Sequence, residues 1–313
     1  MPLSPIQAQL QQRHNLRFSG EGADTLLFVH GLGCDQAMWR FVAPHFEARA
    51  RVIRMDLMGF GASLHSDWSE QRYADLDGHA RDIAAVAEAF GNGRCIVVGH
   101  SVSTMIGLLA DAHAPQAIAA HAMVAPSPCY LNDGDYRGGF DRAVLDQTLG
   151  LMETDVEAWT QAMMPLLLAP DANDPMAQEL TSAFCRARPE ALVKLARATF
   201  LGDLRGQLPG LAKPVLLLQC DQDMVAPRAV GDFMASALPD CTLAVIRNPG
   251  HCPHLTTPQA CIDAIGKFLD LLAGREAPGV SRNAPGREAG PPGLLGRLVS
   301  SFKSRATQAA TGR

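Results

Sequence analysis

The sequence predicts an α/β chain: a mostly parallel sheet with helices on both faces and a further block of helices inserted between two late strands. Short β-branched or apolar runs alternate with longer segments whose apolar residues recur at helical spacing. Strands that alternate with helices build parallel sheets buried on both faces. The alternation breaks once, from about residue 127 to 206, where helical patterns run on without a convincing strand.

The strand-like runs are 25–29, 51–55, 94–98, 120–124, 214–219 and 242–246. Helical spacing marks 35–48, 75–90, 102–112 and 258–272. In the second of these, Leu76, Ala80, Ile83, Ala84, Ala87 and Phe90 make one stripe. The interrupting stretch holds four helical patterns, 140–151, 156–163, 175–185 and 189–200. Helices inserted there would cap the strand ends, where ligands of such sheets bind, and so enclose a pocket. The expected organisation is a core of 1–126 and 207–275, a helical lid of 127–206, and an appendage of 276–313.

Composition bounds the function. The 313 residues are 47% hydrophobic and 19% charged, enough for a sizeable core. A net charge of −5 argues against a nucleic-acid footprint. The first twenty residues lack an apolar h-region, and no run of 18 uncharged apolar residues occurs, so neither a secretory signal nor a spanning helix is expected. The eight cysteines form no CxxC pair, which fits reduced thiols in a cytoplasmic protein. Residues 276–292 hold seven Gly or Pro and read as a disordered linker. Beyond them Leu294, Leu295, Leu298, Val299 and Phe302 share one side of a short helix. Residues 276–313 carry six basic and two acidic groups, +4 against −9 for the rest. The plain reading is a disordered extension of no consequence; the functional one is a helix that orders only when bound, to a protein partner before a membrane, for which its affinity would be weak.

The chemistry centres on Gly99-His100-Ser101-Val102-Ser103, where a strand runs into a turn and a helix leaves it. This is a nucleophile-elbow pattern, with Ser103 where the commoner motif has a second Gly. The turn would aim the Ser101 hydroxyl at the pocket, and small residues flank it because strand and helix backbones nearly touch there. A serine nucleophile needs a base, and the base an orienting acid. His251 follows the strand at 242–246 and can reach back over Ser101; His254, three residues on, is the rival and reads better as a packing residue. The two histidines alone lack a third metal ligand, so no metal is expected. The acid must follow the strand at 214–219, where Asp221 and Asp223 compete. The oxyanion donors would be the N–H groups of Val102, after the nucleophile, and Leu32, in the turn Gly31-Leu32-Gly33. That turn lacks the later glycine of a dinucleotide loop, so no cofactor is expected.

Together these segments resemble the α/β-hydrolase superfamily, and in detail the branch containing the bacterial stress regulator RsbQ and the plant karrikin and strigolactone receptors. The resemblance covers about residues 10 to 273. It is carried by His30-Gly31-Leu32-Gly33-Cys34-Asp35-Gln36, Asp56-Leu57-Met58-Gly59-Phe60-Gly61, Gly99-His100-Ser101-Val102-Ser103, Ser127-Pro128-Cys129-Tyr130-Leu131-Asn132-Asp133 with Gly138-Gly139-Phe140, and Gly250-His251-Cys252-Pro253-His254. The family places its acid four residues before a proline, which Asp223 and Pro227 match and Asp221 does not. The resemblance implies the α/β-hydrolase fold with a four-helix lid over an apolar pocket. It also implies a Ser101–His251–Asp223 serine hydrolase acting on a small hydrophobic ester or lactone. Within that branch the site serves slow ligand sensing and feeds a PAS-containing or phosphatase regulator; the alternative is a general metabolic carboxylesterase. Leu32 departs from the Phe of many relatives, and the tail has no counterpart among them.

Overall fold

A computed structural model describes residues 2–65, 68–168 and 175–274; the expectations for 276–313 lie outside them. The chain opens with α1 (Pro5–Arg13) and β1 (Arg17–Ser19), then β2 (Thr25–Val29), β3 (Arg51–Met55), α2 (Asp77–Phe90), β4 (Cys95–His100), α3 (Val102–His113) and β5 (Ile118–Val124). Four helices follow before the next strand: α4 (Arg142–Thr154), α5 (Val156–Leu167), α6 (Pro175–Arg186) and α7 (Pro189–Leu201). β6 (Val215–Cys220), α8 (Arg228–Ala237), β7 (Cys241–Ile246), α9 (Pro253–Thr256) and α10 (Pro258–Leu272) complete the chain. No described helix is long and apolar enough to cross a membrane.

The strands form one seven-stranded sheet in the order β1-β3-β2-β4-β5-β6-β7. Only β1 runs antiparallel, against β3. Every residue of β2, β4 and β6 is buried. Alternate side chains of a strand point to opposite faces, so these three strands are covered on both. The chain leaves β2 toward β3 and then crosses to β4 on the other side of β2. The turns after β2 and β4 therefore diverge, and a crevice opens between the carboxyl ends of these two paired strands. Their register sets Val29 beside Gly99, so residues 31–33 emerge next to Ser101.

The helix expected over 35–48 is instead two short 3₁₀ turns, Gln36–Trp39 and Ala43–Phe46. Pro44 has no N–H to continue an α-helical ladder, and the Asp35 side chain closes the first turn tightly by accepting the Ala37 N–H at 2.8 Å. Sequence patterning also passed over β1, α1 and α8. β1 has only three residues, none of them buried, and α1 buries none, so neither carries a strong apolar period.

Asp56, at the end of β3, holds the crevice loops together. Its carboxylate accepts the Gln36 N–H at 2.9 Å, the Ala62 N–H at 3.0 Å and the Asn15 side-chain amide at 2.8 Å. Gly61 lies against that carboxylate at φ +55°, where a Cβ would come within 2.5 Å of it. Asp56→Ala removes the shared acceptor and leaves buried donors unpaired, so it is expected to cost about 3 kcal/mol. Urea denaturation of the variant against the parent protein measures this; a loss below about 1 kcal/mol would contradict the assignment.

Candidate functional site

Ser101 sits between β4 and α3 with φ 54° and ψ −121°, a backbone conformation rare for a residue with a side chain. The strand and helix meet so closely that a Cβ on Gly99 would lie 2.7 Å from the Ser103 carbonyl oxygen. Ser103 is fully buried, and its hydroxyl donates a short hydrogen bond to the His30 carbonyl. That contact explains a serine where a glycine is commoner: it ties α3 to the turn carrying Leu32. The Ser101 N–H donates to Val124 O at 2.9 Å, and Thr104 Oγ1 donates to Ser101 O at 2.6 Å.

The predicted residues converge on Ser101. His251 Nε2 lies 2.9 Å from Ser101 Oγ, and His251 Nδ1 lies 2.7 Å from Asp223 Oδ2. The other Asp223 oxygen accepts the Val225 and Ala226 N–H groups at 2.8 and 2.9 Å. A carboxylate held by these donors accepts a hydrogen bond from Nδ1–H and so leaves the Nε2 lone pair facing the serine. Asp221 is turned away and exposed; it accepts the Asn248 N–H at 2.9 Å and so fastens the β6 turn to the loop before His251. Val102 opens α3, where an N–H has no intrahelical acceptor. Leu32 lies in the turn after β2, beside Ser101 in the same crevice wall.

The His251 loop is held from several sides. Asn248 donates to the Gly250 carbonyl at 2.7 Å, and its own oxygen accepts the Thr256 hydroxyl at 2.6 Å. His100 Nε2 donates to the His251 carbonyl at 2.9 Å. His254 is the second residue of α9 and fully buried, against the ring of Trp39 with centroids 4.7 Å apart.

Above the serine lies a narrow cavity of about 30 Å³, walled largely by apolar side chains of α5, α6 and α7. The ring of Phe184 occupies the space that a Cβ on Gly33 would need, so α6 rests directly on the turn holding Leu32. Tyr130 brings its hydroxyl 3.3 Å from Ser101 Oγ, and burial pushes its pKa upward, keeping it a neutral donor. No role for this tyrosine was legible from spacing. It sits in an irregular segment, and only the turn at 130–140 swings it over the serine.

His100, Cys252 and His254 place donor atoms within 4.8 Å of one another, so His254 does have neighbours that could ligate, contrary to the sequence expectation. His100 Nε2 is already engaged by the His251 carbonyl. Its other ring nitrogen faces Gly31, where a Cβ would lie 2.5 Å away. All three side chains are buried, and burial disfavours their charged forms, so they pack as neutral groups.

A family model, the alpha/beta hydrolase family, matches residues 26–264. The chain is 33% identical over 261 residues to a karrikin insensitive 2 receptor of Petunia hybrida, covering 83% of this chain and 97% of that protein. It is 32% identical over 246 residues to the strigolactone esterase D14 of Arabidopsis thaliana, covering 78% and 91%. Among solved structures, a hydrolase from Oleispira antarctica superposes with a TM-score of 0.81 at 33% identity, over 86% of this chain and 99% of that one.

Several histidines are kept neutral by burial. Desolvation lowers the pKa of His14, His30 and His100, and that of His79 and His254 to about 3. In the unfolded chain each would titrate near 6.5. Below that pH the unfolded state binds more protons than the folded one, so stability falls as pH falls from about 6.5 toward 3. Each such histidine contributes up to about 1.4 kcal/mol per pH unit across this window. The urea midpoint is expected to drop steeply between about pH 7 and pH 5, and less steeply in His79→Gln. Equal slopes in both proteins would contradict this account.

Proposed function

The chain belongs to the alpha/beta hydrolase family, and from that premise we propose that it hydrolyses a small hydrophobic ester or lactone by acyl transfer through Ser101. The observation that carries the reading is the buried run of hydrogen bonds from Asp223 through His251 to Ser101 Oγ, 2.7 and 2.9 Å, beneath an apolar cavity. Ser101 Oγ attacks the carbonyl carbon while His251 Nε2 takes the hydroxyl proton. Asp223 holds the ring and stabilises the cation that forms. The Val102 and Leu32 N–H groups receive the oxyanion. His251 then returns the proton to the departing alcohol oxygen, and water, deprotonated by the same imidazole, releases the acyl group.

The finer reading is a slow, ligand-sensing hydrolase whose inserted helices act as a lid and report the ligand to a PAS-containing or phosphatase regulator. Its support is likeness to a receptor and to a strigolactone esterase. A general carboxylesterase would share every residue of the site and differ in fast turnover of generic esters without a partner. Steady-state turnover of simple esters by the isolated protein separates the two.

A fluorophosphonate probe is expected to label Ser101 alone, read by mass spectrometry of the adduct peptide. Ser101→Ala should lower kcat by about 10⁴ or more. Labelling elsewhere, or undiminished hydrolysis in the variant, would falsify the mechanism.

The aspartates give an independent check. Asp223→Asn should reduce kcat by about 10⁴ with little change in melting temperature, because the imidazole then takes the wrong tautomer. Asp221→Asn, at a side chain that accepts the Asn248 N–H and does not meet His251, should leave turnover nearly intact. The opposite ranking would move the acid to Asp221.

A further inference from the structure

We propose that the carboxyl end of α5 is a positioning element for His251, with the Leu167 carbonyl coupling the packing of the cavity wall to the placement of the imidazole. The inference rests on the hydrolase reading above and deepens it.

The carbonyls in the last turn of a helix lack intrahelical partners. In α5 the Leu167 carbonyl is taken up by the His251 loop: it accepts the His251 N–H at 2.9 Å and the Cys252 N–H at 3.1 Å. The His251 carbonyl is gripped from the opposite side by His100 Nε2. The backbone of the base is thus clamped between an inserted helix and the strand that carries the nucleophile. Gly250 leaves room for this contact. A Cβ there would stand 2.7 Å from the Leu167 oxygen and 3.1 Å from the Leu168 carbonyl carbon.

The helix that makes this contact also walls the cavity. Trp159, Met163 and Leu167 recur every four residues, so they share one face of α5, and all three line the space above Ser101. Pro165 lies between Met163 and Leu167 inside the helix. It has no N–H for the carbonyl four residues earlier, so the ladder is weakened just before the gripping carbonyl. An occupant that shifts Trp159 or Met163 therefore acts on a helix end that can yield locally and that holds the base. A misplacement of about 1 Å at a reacting group can cost about 10² in rate. The acyl shapes that let α5 seat on the loop are turned over, and others bind without reacting. Selection of this kind falls on kcat rather than KM.

The test uses the full chain, p-nitrophenyl butyrate as substrate and alkyl fluorophosphonates of short and long chain. Gly250→Ala pushes the carbonyl away without touching the reacting groups. It is expected to lower kcat by about 10² with KM changed by less than about threefold, and to slow Ser101 phosphonylation in parallel. In the parent protein, hydrogen exchange of the His251 and Cys252 amides should differ between adducts of short and long alkyl chain. This measurement decides the matter even where Gly250→Ala folds poorly. Wild-type kcat in a folded Gly250→Ala, or identical exchange in the two adducts, overturns the coupling. A parent protein that never labels at Ser101 removes the hydrolase reading instead, and the inference with it.

Discussion

The left-handed backbone at Ser101 is the constraint on which the rest of the site depends. A side chain at φ 54° is held there only if its surroundings over-determine it. Those surroundings are a paired strand on one side, a helix on the other and carbonyl contacts through Thr104 and Val124. The same turn presses α3 so close to β4 that residue 99 must lack a Cβ. It also puts the Ser103 hydroxyl within reach of His30. One backbone conformation thereby fixes Ser101 between β4 and α3 and ties α3 to the turn after β2.

The histidines show how environment divides one residue type into different tasks. His251 has a carboxylate on one ring nitrogen and a serine on the other. His254, three residues away, has an indole face and no hydrogen-bond partner among the described residues, and burial lowers its pKa to about 3. His100 is kept neutral by the same desolvation and spends one nitrogen on the His251 backbone. Neutral imidazoles pack tightly around His251 without adding charge beside it. The cost is a fold that loses stability in mild acid.

The inserted helices touch the core at the turn that carries Leu32 and at the loop that carries His251. α6 covers the Leu32 turn through Phe184 against Gly33, and α5 reaches the His251 loop through Leu167. Ion pairs between Arg40 and Glu179 and between Arg186 and Asp35 link α6 to the segment after β2. Those pairs are largely exposed and contribute little energy. The apolar and backbone contacts therefore carry the register between helices and core.

Much was legible in the sequence because it is written in short-range patterns. Burial on both faces of a parallel sheet demands apolar runs, which mark β2, β4 and β6, while shorter β-branched or apolar stretches mark the other three parallel strands. The elbow could be read because sterics restrict the residues beside a left-handed serine. Where the local pattern was weak the reading failed: β1 and α1 bury nothing, and the segment after β2 winds into 3₁₀ turns around Pro44. The two aspartates are the same residue type two positions apart, and a family spacing was needed to prefer one. Their difference is tertiary: Asp223 faces His251, whereas Asp221 faces Asn248. Tyr130 over Ser101, His100 beside Cys252 and His254, and the Leu167 grip on His251 were likewise invisible. Each joins segments from 29 to more than 150 residues apart, or acts through a backbone carbonyl that every residue possesses. Local sterics and hydrophobic period are properties of neighbouring residues, so the fold class and the residue types around Ser101 can be read along the chain. Which donor meets which acceptor depends on distant segments packed together, and that pairing exists only in the folded molecule.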